Sequence, residues 1–279
     1  MVNYRDDSNP MNIILGNTQL RNIHYYDIEG GKTFEGKKHS RLNINMGYHQ
    51  TDNAVAYSLV FDKQTGVSTV QPISVNGNYR IDLGIGYTRP LDKKEKLSID
   101  NQASFNYNHN VDMAMVQGAT QSQRSIVNNW KISNVLKLNY RLDDNYEFTL
   151  HGGGTYYLIK SQREGFSNIH AGDYNIGVNV QVALPWKLQL TTDLTMFARR
   201  GYQLSEMNTT DWIWNAQLSR SFINKKLLVK LQGFDILRQL SNTQYLMNAQ
   251  GRTETWNNSI PRYMMLSLSW RFNVNPKKK

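Results

Sequence analysis

From Tyr174 to Leu184 every second residue is apolar: Tyr174, Ile176, Val178, Val180, Val182 and Leu184. Between them stand Asn175, Gly177, Asn179, Gln181 and Ala183. Side chains alternate across an extended strand, so a period of two sorts these residues onto one apolar and one amide-rich face. The same pattern marks Leu42 to Tyr48, Tyr79 to Tyr87, Leu97 to Tyr107, Trp130 to Tyr140, Tyr146 to Leu158, Trp186 to Met196, Trp212 to Leu218, Leu227 to Leu231 and Met264 to Phe272. With a less regular strand near Ile23 to Gly30, this predicts about eleven strands and an all-β chain.

Connection lengths alternate as well. Short ones fall at 90–95, 142–145, 184–186 and 223–226, and long polar ones at 109–123, 161–173, 199–211 and 237–261. Short turns at one end and long loops at the other predict an antiparallel up-and-down meander with two unlike ends, as in outer-membrane barrels.

Which face meets water decides the class. The mean hydropathy of −0.59 and an apolar fraction of 39% exclude a bundle of membrane helices, each of which needs about 20 consecutive apolar residues. They are compatible with a transmembrane barrel, whose strands are apolar only at alternate positions. A soluble barrel or sandwich is the competing reading. Its strands usually run about 5 to 6 residues, shorter than the alternations here. The apolar faces also begin or end on aromatics, as at Trp130, Tyr140, Tyr146 and Tyr156, which suits two interfacial girdles. The polar faces carry Asn, Gln, Ser and Thr in place of a soluble protein's Lys/Glu coat. A transmembrane β-barrel in the outer membrane of a Gram-negative bacterium is therefore expected, with the lipid bilayer as its first partner.

The 279 residues include no cysteine, so disulfides and thiolate sites are excluded, and carry a formal charge of +10. The basic residues are scattered except in the 273–279 tail and at Lys93 and Lys94, so no nucleic-acid partner is expected. After Met1 no apolar secretory segment follows, and an exported chain is expected to begin upstream.

Catalytic chemistry is not expected. His151, Gly152, Gly153 and Gly154 spell a lipase-like oxyanion sequence, but it lies inside a strand and no G-x-S-x-G elbow accompanies it. The six histidines lack metal-site spacing, so neither metal nor cofactor is expected. The polar faces place Arg80, Asp82, Asp100, Lys131, Lys137, Arg141, Glu147, Lys187, Asp193, Lys230 and Arg271 toward a lumen, as candidates to contact a plug or solute. Tyr245 and Trp256, in the longest loop, are candidates to stack on a ligand.

Three segments resemble one family. Asn9 to Leu20 (NPMNIILGNTQL) resembles the "DPLNLRLGNPNLKPE" stretch of TonB-dependent receptor barrels, which leads there into a descending strand. Gly233 to Gln239 resembles their "hDILNQ" segment, and Pro261 to Phe272 their closing strand, with Arg262, Tyr263, Arg271, Phe272 and Asn273 matching. The resemblance implies that residues 1–279 are the C-terminal portion of a β-barrel domain, about half of a 22-stranded barrel. It further implies a plug domain and a TonB-type energy-coupling partner through an N-terminal part, import of a scarce small-molecule or glycan solute, and Phe272 as a signal to the barrel assembly machinery. The alternative is a self-contained small barrel acting as a passive channel, adhesin or structural surface protein. An odd strand count sits poorly with single-chain bacterial barrels, so either further strands exist or the 54–62 and 66–73 pair supplies one. That pair brackets a hairpin-like turn at Asp62 to Gly66, expected in an external loop.

Overall fold

The computed structural model describes residues 4–116, 118–241, 243–248, 251–257 and 260–272, with the side chains of 243–248, 251–254 and 256 excepted. Strands appear in the order β1 (Arg5–Asp6), β2 (Asn12–Leu15), β3 (His24–Glu35), β4 (Arg41–Asp52), β5 (Ala54–Phe61), β6 (Ser68–Val75), β7 (Asn78–Pro90), β8 (Leu97–Ala114) and β9 (Gln123–Arg141). They continue with β10 (Tyr146–Ser161), β11 (Ile169–Leu184), β12 (Leu188–Arg200), β13 (Thr210–Phe222), β14 (Leu227–Phe234), β15 (Thr243–Asn248), β16 (Gly251–Trp256) and β17 (Tyr263–Trp270).

Eleven of these form one antiparallel sheet in the order β3-β4-β7-β8-β9-β10-β11-β12-β13-β14-β17. They are the eleven strands that the period of two marks out. The register keeps the two residue classes apart across the whole wall. Tyr140, Phe148 and Val180 stand in one row, as do Leu138, Leu150, Val178 and Leu194 in the next. A one-residue slip anywhere would exchange the faces.

The apolar face is open: Ile85 and Ile176 are 51% exposed and Ile132 52%. Its two ends carry the expected aromatics. Toward the long loops, Tyr48, Tyr79, Tyr107 and Trp130 form a chain with ring centroids 6.1, 5.8 and 5.1 Å apart. Toward the short turns, Tyr140 lies 6.5 Å from Phe148. From Trp130 to Tyr140, at ~3.3 Å per residue and ~40° tilt, the height is roughly 25 Å, the depth of an outer-membrane apolar band.

The buried apolar residues lie elsewhere. Val111, Val127, Ile159, Ile169, Ala171 and Ala198 all sit on the loop-side ends of their strands, and Ala56 and Met207 sit in the loops themselves. Here the strands run further than the sequence pattern suggested: β8 continues through Ala114 and β11 begins at Ile169, inside segments expected to be loops. The reason is packing. Val127, Ile159, Ile169 and Ala171 form a cluster closed by Phe166 and Tyr202 from the two adjoining loops.

The 54–62 and 66–73 pair does not join the wall. β5 and β6 form a second sheet, ordered β1-β2-β6-β5, in which β2 runs parallel to β6. It stands at the loop end between β4 and β7, tied to the β8–β9 loop by the Val60–Gln121 bridge and by Ser122. The hairpin turn falls where expected. Asp62 accepts hydrogen bonds from the Gln64 N–H and the Thr65 hydroxyl, and Gly66 supplies the left-handed residue at φ 72°. These hydrogen bonds hold the exposed Asp62 carboxyl below its ordinary pKa. β15 and β16 pair as a hairpin within the segment expected to be one long loop.

Among the described residues the outermost strands, β3 and β17, have one neighbour each. Directions alternate across eleven strands, so both descend from the loop end toward the turn end.

Candidate functional site

Charged side chains on the polar face make specific contacts among the described residues. Arg80 Nε lies 2.6 Å from Asp82 Oδ2, and Asp82 Oδ1 accepts from Asn106 Nδ2 at 2.6 Å. Asp100 accepts from the Thr88 hydroxyl at 2.9 Å and stands opposite Lys137 in the register. Lys131 places its ammonium 6.0 Å from the Tyr157 ring. Asp193 accepts from Asn215, whose carboxamide oxygen takes the Asp235 N–H. Lys230 stands between Ser219 and Ser267.

Three positions depart from the simple alternation. Lys187 is not on the wall: Pro185–Lys187 is a single 3₁₀ turn, with Trp186 and Lys187 left-handed at φ 62° and 60°, so Lys187 stands exposed on the short-turn rim. Arg141 is opposite Glu147 in register, yet its guanidinium pairs with Asp144 in the turn at 2.8 Å. Arg271 lies beyond β17, where its N–H donates to the Lys226 carbonyl, and Phe272 follows, 83% exposed. Tyr245 and Trp256 fall on β15 and β16, and their side chains lie outside the described residues, as does the 273–279 tail.

Residue spacing gave no sign of what surrounds His49. Its Nδ1 is 2.6 Å from Asp27 on β3, and its Nε2 is 3.3 Å from Asp82 on β7 and 3.7 Å from Glu29. Pairing of β3, β4 and β7 assembles this group from residues far apart in sequence, so no local motif announces it.

His151 of the HGGG segment has a structural role. The His151 imidazole lies across Gly177 of the next strand, where an added Cβ would come within 2.7 Å of the ring, and its Nε2 reaches the Thr195 hydroxyl at 3.3 Å. Glycine at 177 makes room for a ring lying along the polar face.

At the loop end a cavity of about 500 Å³ opens among β4, β5, β7, β8, β9 and β10. Asn78, Ser125 and Asn129 contribute polar groups to its wall, and Val111, Val127 and Ile159 an apolar side. Asn78 is spent on structure, clasping the Val111 backbone N–H and carbonyl. The Asn129 carboxamide oxygen is buried with no hydrogen-bond partner among the described residues, and Ser125, only 6% exposed, stands on the same lining. An unsatisfied buried polar atom costs about 1–3 kcal/mol, so the Asn129 oxygen marks a place where a solute could satisfy it. Asp112, on the same lining, is the carboxylate, and among the described residues no Lys or Arg lines the cavity. A neighbouring loop is locked over the polar face. The Tyr202 hydroxyl donates to Asp173 at 2.8 Å, and Asn208 clasps the Tyr202 N–H and carbonyl. Burial, and then the Asp173 hydrogen bond, push the Tyr202 phenol well above its ordinary pKa.

Such a wall, apolar and open outside, polar inside and packed only at its loop end, is what one family of membrane proteins shares. The family model for outer membrane protein beta-barrels matches residues 1–155 and 119–270. The chain belongs to the outer membrane protein beta-barrel family. Membership places it in the outer membrane of a Gram-negative bacterium, with the Ile85–Ile132–Ile176 face in lipid, the Asn/Gln face toward the lumen, and the long loops outside. No curated protein and no solved structure matches it.

Proposed function

We propose that this outer-membrane barrel protein is part of a receptor that imports a scarce solute in the manner of TonB-dependent receptors, without catalysing a reaction. The observation that carries this reading is the direction of the two free edges. β3 and β17 both descend, so joining them directly would put one parallel pair into an otherwise antiparallel wall. An all-antiparallel closure needs an odd number of further strands, which the half-barrel implied by the Asn9, Gly233 and Pro261 segments would supply. A barrel of that size encloses a lumen too wide for its own wall residues to fill, hence the need for a plug and for an energy-coupling partner. Arg80, Lys131, Lys137, Asp193 and Lys230 would line the plug's seat. The cavity at Ser125 and Asn129, on the external side, is where solute would first be held. Phe272, exposed at the end of β17, suits a docking signal for the barrel assembly machinery.

The test is uptake in cells. Deletion of the reading frame is expected to abolish accumulation of one member of a panel of iron chelates, cobalamin-like cofactors, glycans and peptides. Accumulation should return with the wild-type gene and stop when the proton gradient is collapsed. Uptake that survives deletion would contradict the receptor reading. Uptake that is lost on deletion but indifferent to the gradient would instead identify a passive channel.

A further inference from the structure

The lipid-facing side of the wall is not uniformly filled. Across β13, β14 and β17 the residues Ala216, Gly233 and Met264 stand directly opposite one another in one row. Two of the three are small, and the next row toward the short turns is Leu218, Leu231 and Leu266. The deficit of side-chain volume leaves a hollow of about 600 Å³, floored by Ala216 and Gly233 and walled by Leu190, Leu218, Leu231 and Met264. These six lie on the lipid side of the sheet. At the external end the hollow is bounded by Ile236 and by the chain at Tyr263. Arg262 stands at the same end, exposed, with no carboxylate partner among the described residues.

The hollow suits one kind of occupant. It opens on the face that meets hydrocarbon, so water gains nothing there and an aliphatic chain recovers the dispersion contacts that the small residues leave unmade. Its volume is on the scale of a small-molecule site. Among the described residues the sole charged group on its lining is cationic and sits at the headgroup level of the external leaflet, where a guanidinium pairs with phosphate through two parallel hydrogen bonds. Asp235, in the turn after β14, is buried and spent on the N–H groups of Gln239 and Leu240.

We propose that this hollow binds one acyl chain of a phosphorylated lipid of the external leaflet, with Arg262 holding its phosphate. The site rests on the assignment of the lipid face and is independent of whether the barrel transports anything.

Native mass spectrometry of the full chain, folded in detergent and exposed to lipid A or to the same lipid A after removal of its phosphates, tests the assignment. Wild type is expected to retain one molecule of the phosphorylated form at least fivefold more than the dephosphorylated form. Arg262→Gln should erase that preference while keeping the basal retention, and Ala216→Phe, which fills the hollow, should lower retention of both forms at least fivefold. Folding of each variant is checked by its mobility on an unheated gel. Should Ala216→Phe fail to fold, Arg262→Gln decides alone. Equal retention of the two lipids by wild type, or an undiminished preference in Arg262→Gln, would overturn the proposal, as would unchanged retention by a folded Ala216→Phe.

Discussion

The middle of the wall and its loop end follow the same alternation of residues with opposite results. At mid-wall the apolar side chains of Leu83, Ile85, Leu150 and Ile176 stand open, 45–51% exposed. At the loop end Val111, Ile159, Ile169 and Met207 are at most 4% exposed. One chain built for a single solvent would bury both sets or neither. The difference is explained when the mid-wall is immersed in hydrocarbon, where an open Leu costs nothing, and the loop end stands in water, where an apolar side chain must find protein. Each region is therefore vulnerable to a different kind of substitution.

The effect that reaches the whole barrel is expected from a charge at mid-wall. Leu150→Arg should destabilise the inserted barrel by about 2–4 kcal/mol, read as a shift in the urea midpoint of the protein folded in vesicles. The same Arg at Thr149, on the polar face of the same strand, should shift it by less than ~1 kcal/mol. Equal shifts at the two positions would erase the distinction between the faces.

The loop end answers to cavity formation instead. Met207 is completely buried, and Met207→Ala should cost about 2–5 kcal/mol of local packing. Because the loss is confined to the 201–209 loop, limited proteolysis should cleave there while the unheated gel mobility of the barrel stays unchanged. Cleavage no faster than in wild type would show that the loop does not depend on this packing.

A smaller effect is expected at Asp235, where Asp235→Asn leaves a neutral acceptor for the Gln239 and Leu240 N–H groups. One of the two N–H groups then faces the amide NH2 and the other keeps an uncharged oxygen, so the cost should be about 1–3 kcal/mol, visible as faster amide exchange at Gln239 and Leu240. Exchange as slow as in wild type would show that the carboxylate does not hold that turn.

The smallest expected effect is the Tyr202 hydroxyl. Its pKa is raised in the folded state, so its contribution is complete below the ordinary phenol value of 10.0 and is lost as pH rises beyond it, when the unfolded loop ionises first. Proteolysis at 201–209 should therefore accelerate above about pH 10 in wild type. In Tyr202→Phe that component should vanish, on top of a pH-independent loss of about 1 kcal/mol. The same alkaline acceleration in Tyr202→Phe would assign it to another group.

Much of the wall was legible because one rule governs it. A period of two names both the strand and the face of each residue, and an error in register would have shown at once as polar residues among the apolar rows. Lys187 escaped the rule because the strand stops at Leu184 and the chain turns through left-handed residues, which alternation cannot register. The His49 group and the Ser125–Asn129 cavity were invisible for a different reason: their members meet only through pairing between strands, and nothing in local spacing specifies which strands pair. The 54–75 hairpin has good strand residues and still leaves the wall, because β2 claims its edge in parallel and the β8–β9 loop holds it at the loop end. Charge pairing was legible only in part. Arg80 and Asp82 meet as neighbours on one face, while Arg141 prefers the turn carboxylate of Asp144 over Glu147 across the strand.

The apolar face of the wall meets lipid, and β11 offers adjacent residues for the most direct test of that placement. Val180→Asp and Asn179→Asp place the same charge at the same depth on opposite faces. Folding of each into phosphatidylcholine vesicles, scored by unheated gel mobility, is expected to fail for Val180→Asp and to proceed as in wild type for Asn179→Asp. The reverse result would turn the barrel inside out and contradict the account.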